Sequence, residues 1–124
     1  MEKIFTESAP AAVGPYSQAM VHNGILYTSG QVGLVPATGK PAGDDIVSQA
    51  EQVCKNLQAV AAAAGTSLDN TLKTTCFLAD IADFKAFNEV YAKYFVNAPA
   101  RSCFAVKALP LGMLCEVEII CAIK

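Results

Sequence analysis

The stretch DDIVSQAEQVCKNLQAVAAAAG, residues 44–65, decides the fold, because it is the most regular segment of the chain. Its apolar side chains recur with a period of about 3.6 residues, as on one face of a helix. They are Ile46, Ala50, Val53, Leu57, Val60 and Ala64. Asp44 and Asp45 stand where acidic groups favour a helix start, and Gly65 follows directly after the last apolar residue. We therefore predict an amphipathic helix from Asp44 to Ala64.

Short runs of β-forming residues precede this helix. We predict strands over Ile4 to Thr6, Gln18 to His22 and Ile25 to Ser29, with a hairpin turn at Asn23-Gly24 between the last two. The segment from Gly33 to Gly43 contains several glycines and prolines and has no period. This segment is therefore predicted to be a loop.

The segments after the helix continue the alternation of strand and helix. Thr71 to Ala79 is predicted as a strand, and Asp83 to Phe95, with aromatic side chains on one face, as a second helix. Two further strands, Arg101 to Lys107 and Leu114 to Ile123, are joined by residues 108–113. The predicted order is β-β-β-α-β-α-β-β, which suits a mixed sheet with helices on one face and an apolar second face.

Composition favours a single domain, residues 1–124, that associates with further subunits. The chain is 53% hydrophobic and 16% charged, with a mean hydropathy of +0.36, which is more apolar than a small monomer can easily bury. No apolar run approaches the roughly 20 residues of a membrane span, and no signal peptide is recognised near the start. The five cysteines lack a CxxC spacing and are expected to be reduced thiols, so we expect a cytoplasmic protein.

Charge and motifs argue against nucleic acid and against bound cofactors. The net charge is −2, and eight of the nine basic residues are lysines scattered along the chain, so no basic stripe is present. The sequence contains no glycine-rich nucleotide motif, no zinc-binding spacing and no serine-hydrolase motif. We expect neither a metal nor an organic cofactor.

Arg101, the only arginine, is the first candidate for a functional residue. A guanidinium can hold a carboxylate through two parallel hydrogen bonds, although an ordinary salt bridge at a strand end is the alternative. Strand alternation places Cys103 on the same face. The sole histidine, His22, has no recognisable link to Cys103, so we interpret this thiol as lining a pocket and not as a nucleophile.

Further candidates lie on the last strand and beside the first hairpin. Glu116 and Glu118 share a strand face that continues with the apolar residues Ile120 and Ala122. Either glutamate is therefore a candidate general acid or base if it is partly buried. Two glycine-bearing stretches, Gly14-Pro15-Tyr16 and Thr28-Ser29-Gly30-Gln31, could present backbone N–H groups and a phenol to a small ligand.

Taken together, these motifs resemble the RidA (YjgF) family of enamine and imine deaminases. The resemblance covers essentially the whole chain and rests on the order and spacing of short strings. These are Gly14-Pro15-Tyr16-Ser17-Gln18-Ala19, Thr28-Ser29-Gly30-Gln31, Asn88, Pro99-Ala100-Arg101-Ser102-Cys103 and Glu116-Val117-Glu118.

The resemblance implies an α+β, chorismate mutase-like fold, in which two helices pack on one face of a mixed sheet and three chains form a homotrimeric barrel with sites between subunits. It implies hydrolysis of 2-iminobutanoate and 2-iminopropanoate to 2-keto acids and ammonia, without a cofactor. Arg101 would bind the substrate carboxylate and Glu116 would activate water. Tyr16, Ser29, Gly30, Asn88 and Cys103 would line the pocket.

Two other functions remain as alternatives at this stage. One is a non-catalytic regulator or chaperone of the same fold that binds a small carboxylate, for which Arg101 would matter and Glu116 would not. The other is a ribonuclease or translation inhibitor, which the charge of the chain disfavours.

The chain departs from the family pattern at two places. The connection between Phe95 and Arg101 is shorter than in typical bacterial members, and residues 109–113, Leu-Pro-Leu-Gly-Met, lack the charged residues usual there. We expect these departures to affect substrate range more than reaction type.

Overall fold

A computed structural model describes all 124 residues and contains nine strands and two helices. The helices are α1, Ile46–Ala63, and α2, Phe84–Tyr94. The strands are β1 (Glu2–Ile4), β2 (Ala19–His22), β3 (Ile25–Thr28), β4 (Gln31–Val32), β5 (Leu34–Val35), β6 (Lys40–Pro41), β7 (Thr71–Leu78), β8 (Ala100–Ala105) and β9 (Cys115–Ala122). Single turns of 3₁₀ helix occupy Leu68–Asn70, Ile81–Asp83 and Pro110–Gly112.

The predicted first helix is confirmed, and both of its ends have a recognisable cap. Asp45 is the N-cap, and its Oδ1 accepts a hydrogen bond from the Ser48 N–H at 2.9 Å. At the other end, Gly65 has a φ of +81°, and the Thr66 N–H donates to the Ala61 carbonyl at 3.0 Å. This pattern is a Schellman motif, in which glycine provides the left-handed residue at no steric cost.

The main sheet has the order β1-β2-β3-β9-β7-β8, and β4 pairs with β9 beyond the end of β3. All neighbours are antiparallel except β7 and β8, which are parallel and are connected through α2. Helix α1 packs against β9 and β4, and α2 packs against α1. The predicted arrangement of two helices on a mixed α+β sheet is therefore confirmed.

The predicted hairpin between β2 and β3 is also confirmed. Asn23 and Gly24 both have positive φ angles, 53° and 75°, as a type I′ turn requires. His22 lies opposite Ile25 directly beside the turn.

Two predictions for the first half of the chain were wrong in detail. The first strand is Glu2–Ile4 and not Ile4 to Thr6, because the Thr6 N–H donates to Gln18 Oε1 at 2.8 Å instead of joining the sheet. The segment from Gly33 to Gly43 is not a plain loop, since β5 and β6 form a small hairpin within it. Strands of two residues are too short to show a period in the sequence.

The core lies between the helices and one face of the sheet. On β9 the residues Cys115, Val117, Ile119 and Cys121 are at most 1% exposed, and they alternate with residues on the opposite face. This opposite face, which we call the open face, carries no helix. It presents Tyr27 (47% exposed), Phe77, Phe104 (45% exposed) and Ile120.

Two buried amide side chains of α1 connect the core to the loops. Asn56, with no exposed surface, donates from Nδ2 to the carbonyls of Val32 (3.2 Å) and Leu34 (3.0 Å). Gln49 donates to the Gly43 carbonyl and accepts from the Leu114 N–H. Neither amide was predicted from the sequence, although two polar residues spaced at helical intervals within a buried stripe were a usable signal.

No helix of the structure is both long enough and apolar enough to cross a membrane.

We predict that Asn56→Leu lowers the free energy of unfolding by about 3 kcal/mol, because two buried carbonyls lose their donor. Urea titration at one fixed protein concentration measures this change. Asn70→Ala is the matched control, since Asn70 is exposed and donates only to the Thr66 hydroxyl; it should cost less than about 1 kcal/mol. Equal losses in the two variants would contradict the role of Asn56.

Candidate active site

The candidate residues lie in two separate depressions of the chain. Tyr16, Ser29, Gly30 and Glu116 line a cavity of about 660 Å³, which we call the carboxylate cavity. Asn88 and Arg101 line a smaller depression of about 320 Å³, which we call the arginine cleft. Cys103 lines neither of them in the single chain.

The arginine cleft lies between α2 and the start of β8. Arg101 Nη1 donates a hydrogen bond to Asn88 Oδ1 at 2.7 Å, which fixes the orientation of the guanidinium. The guanidinium carbon lies 4.8 Å from the ring centroid of Tyr91 and 5.6 Å from that of Phe84. The Tyr91 ring is itself held by a hydrogen bond of 2.7 Å to the Thr74 hydroxyl. Aromatic faces attract cations, so the ring contacts hold Arg101 without neutralising it.

Arg101 has no carboxylate partner. The only ion pair in the structure joins Lys93 to Glu51 on the outer side of the helices. The interpretation of Arg101 as an ordinary salt bridge is therefore wrong for this chain. Most of its N–H donors remain free to bind an anion in the cleft.

Cys103 lies on β8 with Arg101 and opposite Cys76 on β7. Burial raises the pKa of the Cys103 thiol, although the nearby Arg101 charge opposes that rise, and burial raises the pKa of Cys76 to about 12. Both thiols are therefore protonated at neutral pH. A thiol in this state is a poor nucleophile, in line with the prediction that Cys103 forms no covalent intermediate.

Glu116 is the carboxylate of the larger cavity, whereas Glu118 is exposed and lies outside it. The structure thus separates the two glutamates that sequence reasoning left open. Burial raises the pKa of the half-buried Glu116 carboxyl, and repulsion from Glu118 raises it further. No protein group donates a hydrogen bond to this carboxyl, so its oxygens are available to water or a ligand.

Gly30 is required for the position of Glu116. A Cβ atom added at residue 30 would lie 2.0 Å from Glu116 Oε2 and 2.7 Å from its Cδ. The carboxylate therefore occupies the space that any side chain at this position would need. This close approach is the physical reason for glycine in the second of the predicted glycine-bearing stretches.

The two glycine-bearing stretches meet at the cavity wall. Ser29 Oγ donates to the Ser17 carbonyl at 2.6 Å, and the Ser29 N–H donates to the Gln18 carbonyl at 2.9 Å. The Tyr16 hydroxyl accepts from the Val13 N–H at 3.4 Å. Gln18 Nε2 donates to the Pro10 carbonyl at 2.8 Å and so ties the N-terminal segment to the same wall.

Arg101 and Glu116 lie on opposite faces of the sheet. Arg101 points to the helix side with Tyr91, whereas Glu116 alternates with the core residues Cys115 and Val117 and points to the other side. No small ligand can touch both side chains of one chain. Sequence reasoning could not reach this result, because it depends on how β7, β8 and β9 align.

Sequence reasoning also missed most of the apolar wall of the carboxylate cavity. This wall includes Val13, Val32, Leu34, Pro110 and Leu111. Their only signal was the presence of aliphatic residues in connections rich in proline and glycine. No group of three His, Cys, Asp or Glu side chains comes together as a metal site would require.

Comparison with known proteins gives consistent similarities. A family model described as endoribonuclease L-PSP matches residues 6–123. The chloroplastic reactive intermediate deaminase A of Arabidopsis thaliana is 49% identical over 96% of this chain, which spans 64% of that relative's length. The 2-iminobutanoate/2-iminopropanoate deaminase of Mus musculus is 47% identical to this chain, and the aligned region covers 94% of this chain and 87% of that relative's length. The crystal structure of YyfA from Yersinia pestis, of the conserved Rid family and unknown function, has a TM-score of 0.95 at 47% identity, with 98% of each chain covered.

We predict that Gly30→Ala displaces the Glu116 carboxylate towards solvent and moves its pKa back towards the ordinary value, because burial is the main cause of the raised pKa. Carbon NMR of labelled glutamate side chains during a pH titration measures this shift. Gly43→Ala is the control for steric crowding away from Glu116, since its added Cβ would lie 2.8 Å from Ser48 Cβ and 3.7 Å from Asp45 Oδ1. A Glu116 titration unchanged by Gly30→Ala would refute the close approach.

Proposed function

The chain belongs to the endoribonuclease L-PSP family, which includes the RidA (YjgF) deaminases, and on this premise we propose how it hydrolyses 2-imino acids. The substrates are 2-iminobutanoate and 2-iminopropanoate, and the products are the 2-keto acids and ammonia. The activity follows from relatives of 43% to 49% identity that carry the deaminase name. The observation that supports its assignment to particular residues is the unpaired guanidinium of Arg101.

Arg101 is the proposed anchor for the substrate carboxylate. Asn88 and the Tyr91 ring fix the guanidinium, so little conformational freedom is lost when the anion binds. Two parallel charge-assisted hydrogen bonds would orient the imine carbon as well as hold the substrate.

Glu116 is the proposed general base and acid. As the new C–O bond forms, Glu116 takes a proton from the attacking water and gives it to the imine nitrogen, so that the C=N double bond becomes a C–N single bond. It then takes the proton of the new hydroxyl group as the C=O bond forms, and returns this proton to the amine nitrogen as the C–N bond breaks. The carboxyl ends in its starting state, and ammonia leaves. A carboxyl whose pKa is raised by burial suits both transfers better than an ordinary one.

The other pocket residues have supporting roles in this proposal. Tyr16, Ser29 and Gly30 shape the wall around Glu116, and Asn88 positions Arg101. Cys103 contributes backbone and side chain beside the anchor. Because an imine carbon is already electrophilic, the mechanism uses no covalent nucleophile, metal or organic cofactor.

We further propose that residues 1–124 act as one domain within a homotrimer whose sites lie between subunits. The placement of Arg101 and Glu116 on opposite faces favours a site that combines the arginine cleft of one chain with the carboxylate cavity of its neighbour. The apolar open face is the surface that the neighbouring chains would cover. The five free thiols, four of them buried, favour the cytoplasm as the compartment.

We predict that Arg101→Ala lowers kcat/KM by about a hundredfold, because the carboxylate loses a charge-assisted anchor. Glu116→Gln should lower kcat by a similar factor of about a hundred with little change in KM, since it removes proton transfer and not binding. The assay generates each imine in place, with an amino-acid oxidase or a threonine dehydratase, and follows its loss against a chemical trap.

Lys40→Ala, which removes an exposed charge on β6, is the control and should keep its activity within about twofold of the unmodified protein. Full turnover in both site variants would refute the proposed roles. Absence of turnover in the unmodified protein, with retained binding of a small carboxylate at Arg101, would favour the non-catalytic alternative. Salt-dependent RNA binding that needs Arg101 would favour the nuclease alternative.

We predict that mixed oligomers of the two inactive variants regain activity. Unfolding and refolding an equal mixture of Arg101→Ala and Glu116→Gln chains should rebuild about one quarter of the sites, where each neighbour supplies its intact side chain. Each variant refolded alone is the control and should stay inactive. A mixture as inactive as its components would refute a site shared between Arg101 of one chain and Glu116 of its neighbour.

A further inference from the structure

The carboxylate cavity combines polar and apolar side chains. Its polar lining consists of Glu116, Ser29, Gln18, Gln31 and the Tyr16 hydroxyl, and apart from Gly30 the rest of the lining is aliphatic and proline side chains. No lysine or arginine of the chain lines it. In the single chain its volume of about 660 Å³ is in the range of pockets for drug-sized ligands.

Leu111 is the most unusual residue of the apolar wall. Its side chain is 75% exposed, and its backbone has a φ of 59° and a ψ of 21°, in the left-handed region that non-glycine residues seldom adopt. Strained conformations of this kind cost about 1 kcal/mol or more and cluster at functional sites. Neither the exposure nor the conformation contributes to packing in the core.

The turn that carries Leu111 is fixed at its C-terminal end. The Met113 N–H donates to the Pro110 carbonyl at 3.1 Å, and the Met113 side chain is 2% exposed. The next N–H, that of Leu114, donates to the buried Gln49 Oε1 at 2.8 Å. Glu116 follows two residues later on β9. A rigid connection therefore sets the position of the Leu111 side chain relative to the Glu116 carboxylate.

We propose that Leu111 determines specificity by contacting the side chain of the substrate, so that the enzyme prefers 2-imino acids with apolar side chains larger than ethyl. Such substrates are the imines of leucine, methionine and phenylalanine. This inference rests on the proposed function and adds which member of the substrate class is preferred.

The same geometry rejects acidic side chains. A substrate held by its first carboxylate at Arg101 would direct a second carboxylate into an apolar wall beside Glu116. Nothing there offers a positive charge, and burying an unpaired carboxylate near another one is strongly unfavourable.

The test compares kcat/KM for the imines of alanine, leucine, phenylalanine and glutamate in four proteins. In Leu111→Ala the kcat/KM for the leucine or phenylalanine imine, divided by the kcat/KM for the alanine imine, should fall about tenfold. This is the effect expected for the lost contact of one to two methylene groups. In Leu111→Lys the glutamate imine should gain at least about tenfold over the leucine imine, because a cation now faces the second carboxylate. Leu72→Ala is the control, since Leu72 is an exposed leucine on β7 outside the cavity.

Sedimentation and thermal unfolding accompany each variant. An equal change for all imines in Leu111→Ala, or a change of oligomeric state in that variant, would overturn the inference and make Leu111 a structural or interface residue. Leu111→Asn, whose side chain tolerates the left-handed region, repeats the test without added backbone strain. If the unmodified protein hydrolyses none of the imines, the proposed function fails. If it hydrolyses them, but substitutions at Leu111 leave the ratios of kcat/KM between imines unchanged, only this inference fails.

Discussion

The alternation of side chains along β9 is the constraint on which the rest of the structure depends. This strand pairs with β3, β4 and β7, so it lies at the centre of the sheet. Its odd-numbered residues from Cys115 to Cys121 fill the core, and therefore Glu116 and Glu118 must lie on the other face. A shift of pairing by one residue would bury two carboxylates under α1 and is excluded by their desolvation cost. The burial of apolar side chains thus fixes the face of the sheet on which the catalytic candidate Glu116 lies, and the lack of a side chain at Gly30 leaves room for its carboxylate.

Buried amides then fix the loops that surround Glu116. Gln18 holds the N-terminal segment, Asn56 holds the backbone at Val32 and Leu34, and Gln49 holds the segments at Gly43 and Leu114. Each amide satisfies backbone groups that would otherwise be buried without a partner, so each loop has one favoured position against the core. Cavity walls made of connections rich in glycine and proline are consequently as well positioned as walls made of strands. Binding can proceed on such walls without first ordering them.

Local patterns in the sequence predicted the regular elements, and long-range pairing accounts for what they missed. The period of residues 44–65 with its capping residues predicted α1 to within two residues, and Asn23-Gly24 predicted the hairpin, because these signals are complete within a short segment. The two-residue strands β4, β5 and β6 exist only through their partners and had no period to detect. Arg101 could be selected because it is the only arginine, and Glu116 because it alternates with apolar residues along a predicted strand. Their separation onto opposite faces follows from the pairing of β7 with both β8 and β9, contacts between distant segments that spacing along the chain does not encode.

The separation of Arg101 from Glu116 has an electrostatic consequence for the proposed chemistry. If one chain placed the two side chains together on one face, they would form a salt bridge, and each would satisfy the other instead of a ligand. On opposite faces the guanidinium keeps most of its donors free, and the carboxyl keeps a raised pKa with no donor attached. In the proposed intersubunit site, the substrate enters between two charges that the fold has kept apart. Its carboxylate then meets the guanidinium, while the imine carbon and a water molecule come next to Glu116. Assembly would thus create the site from two parts that are each unable to act alone.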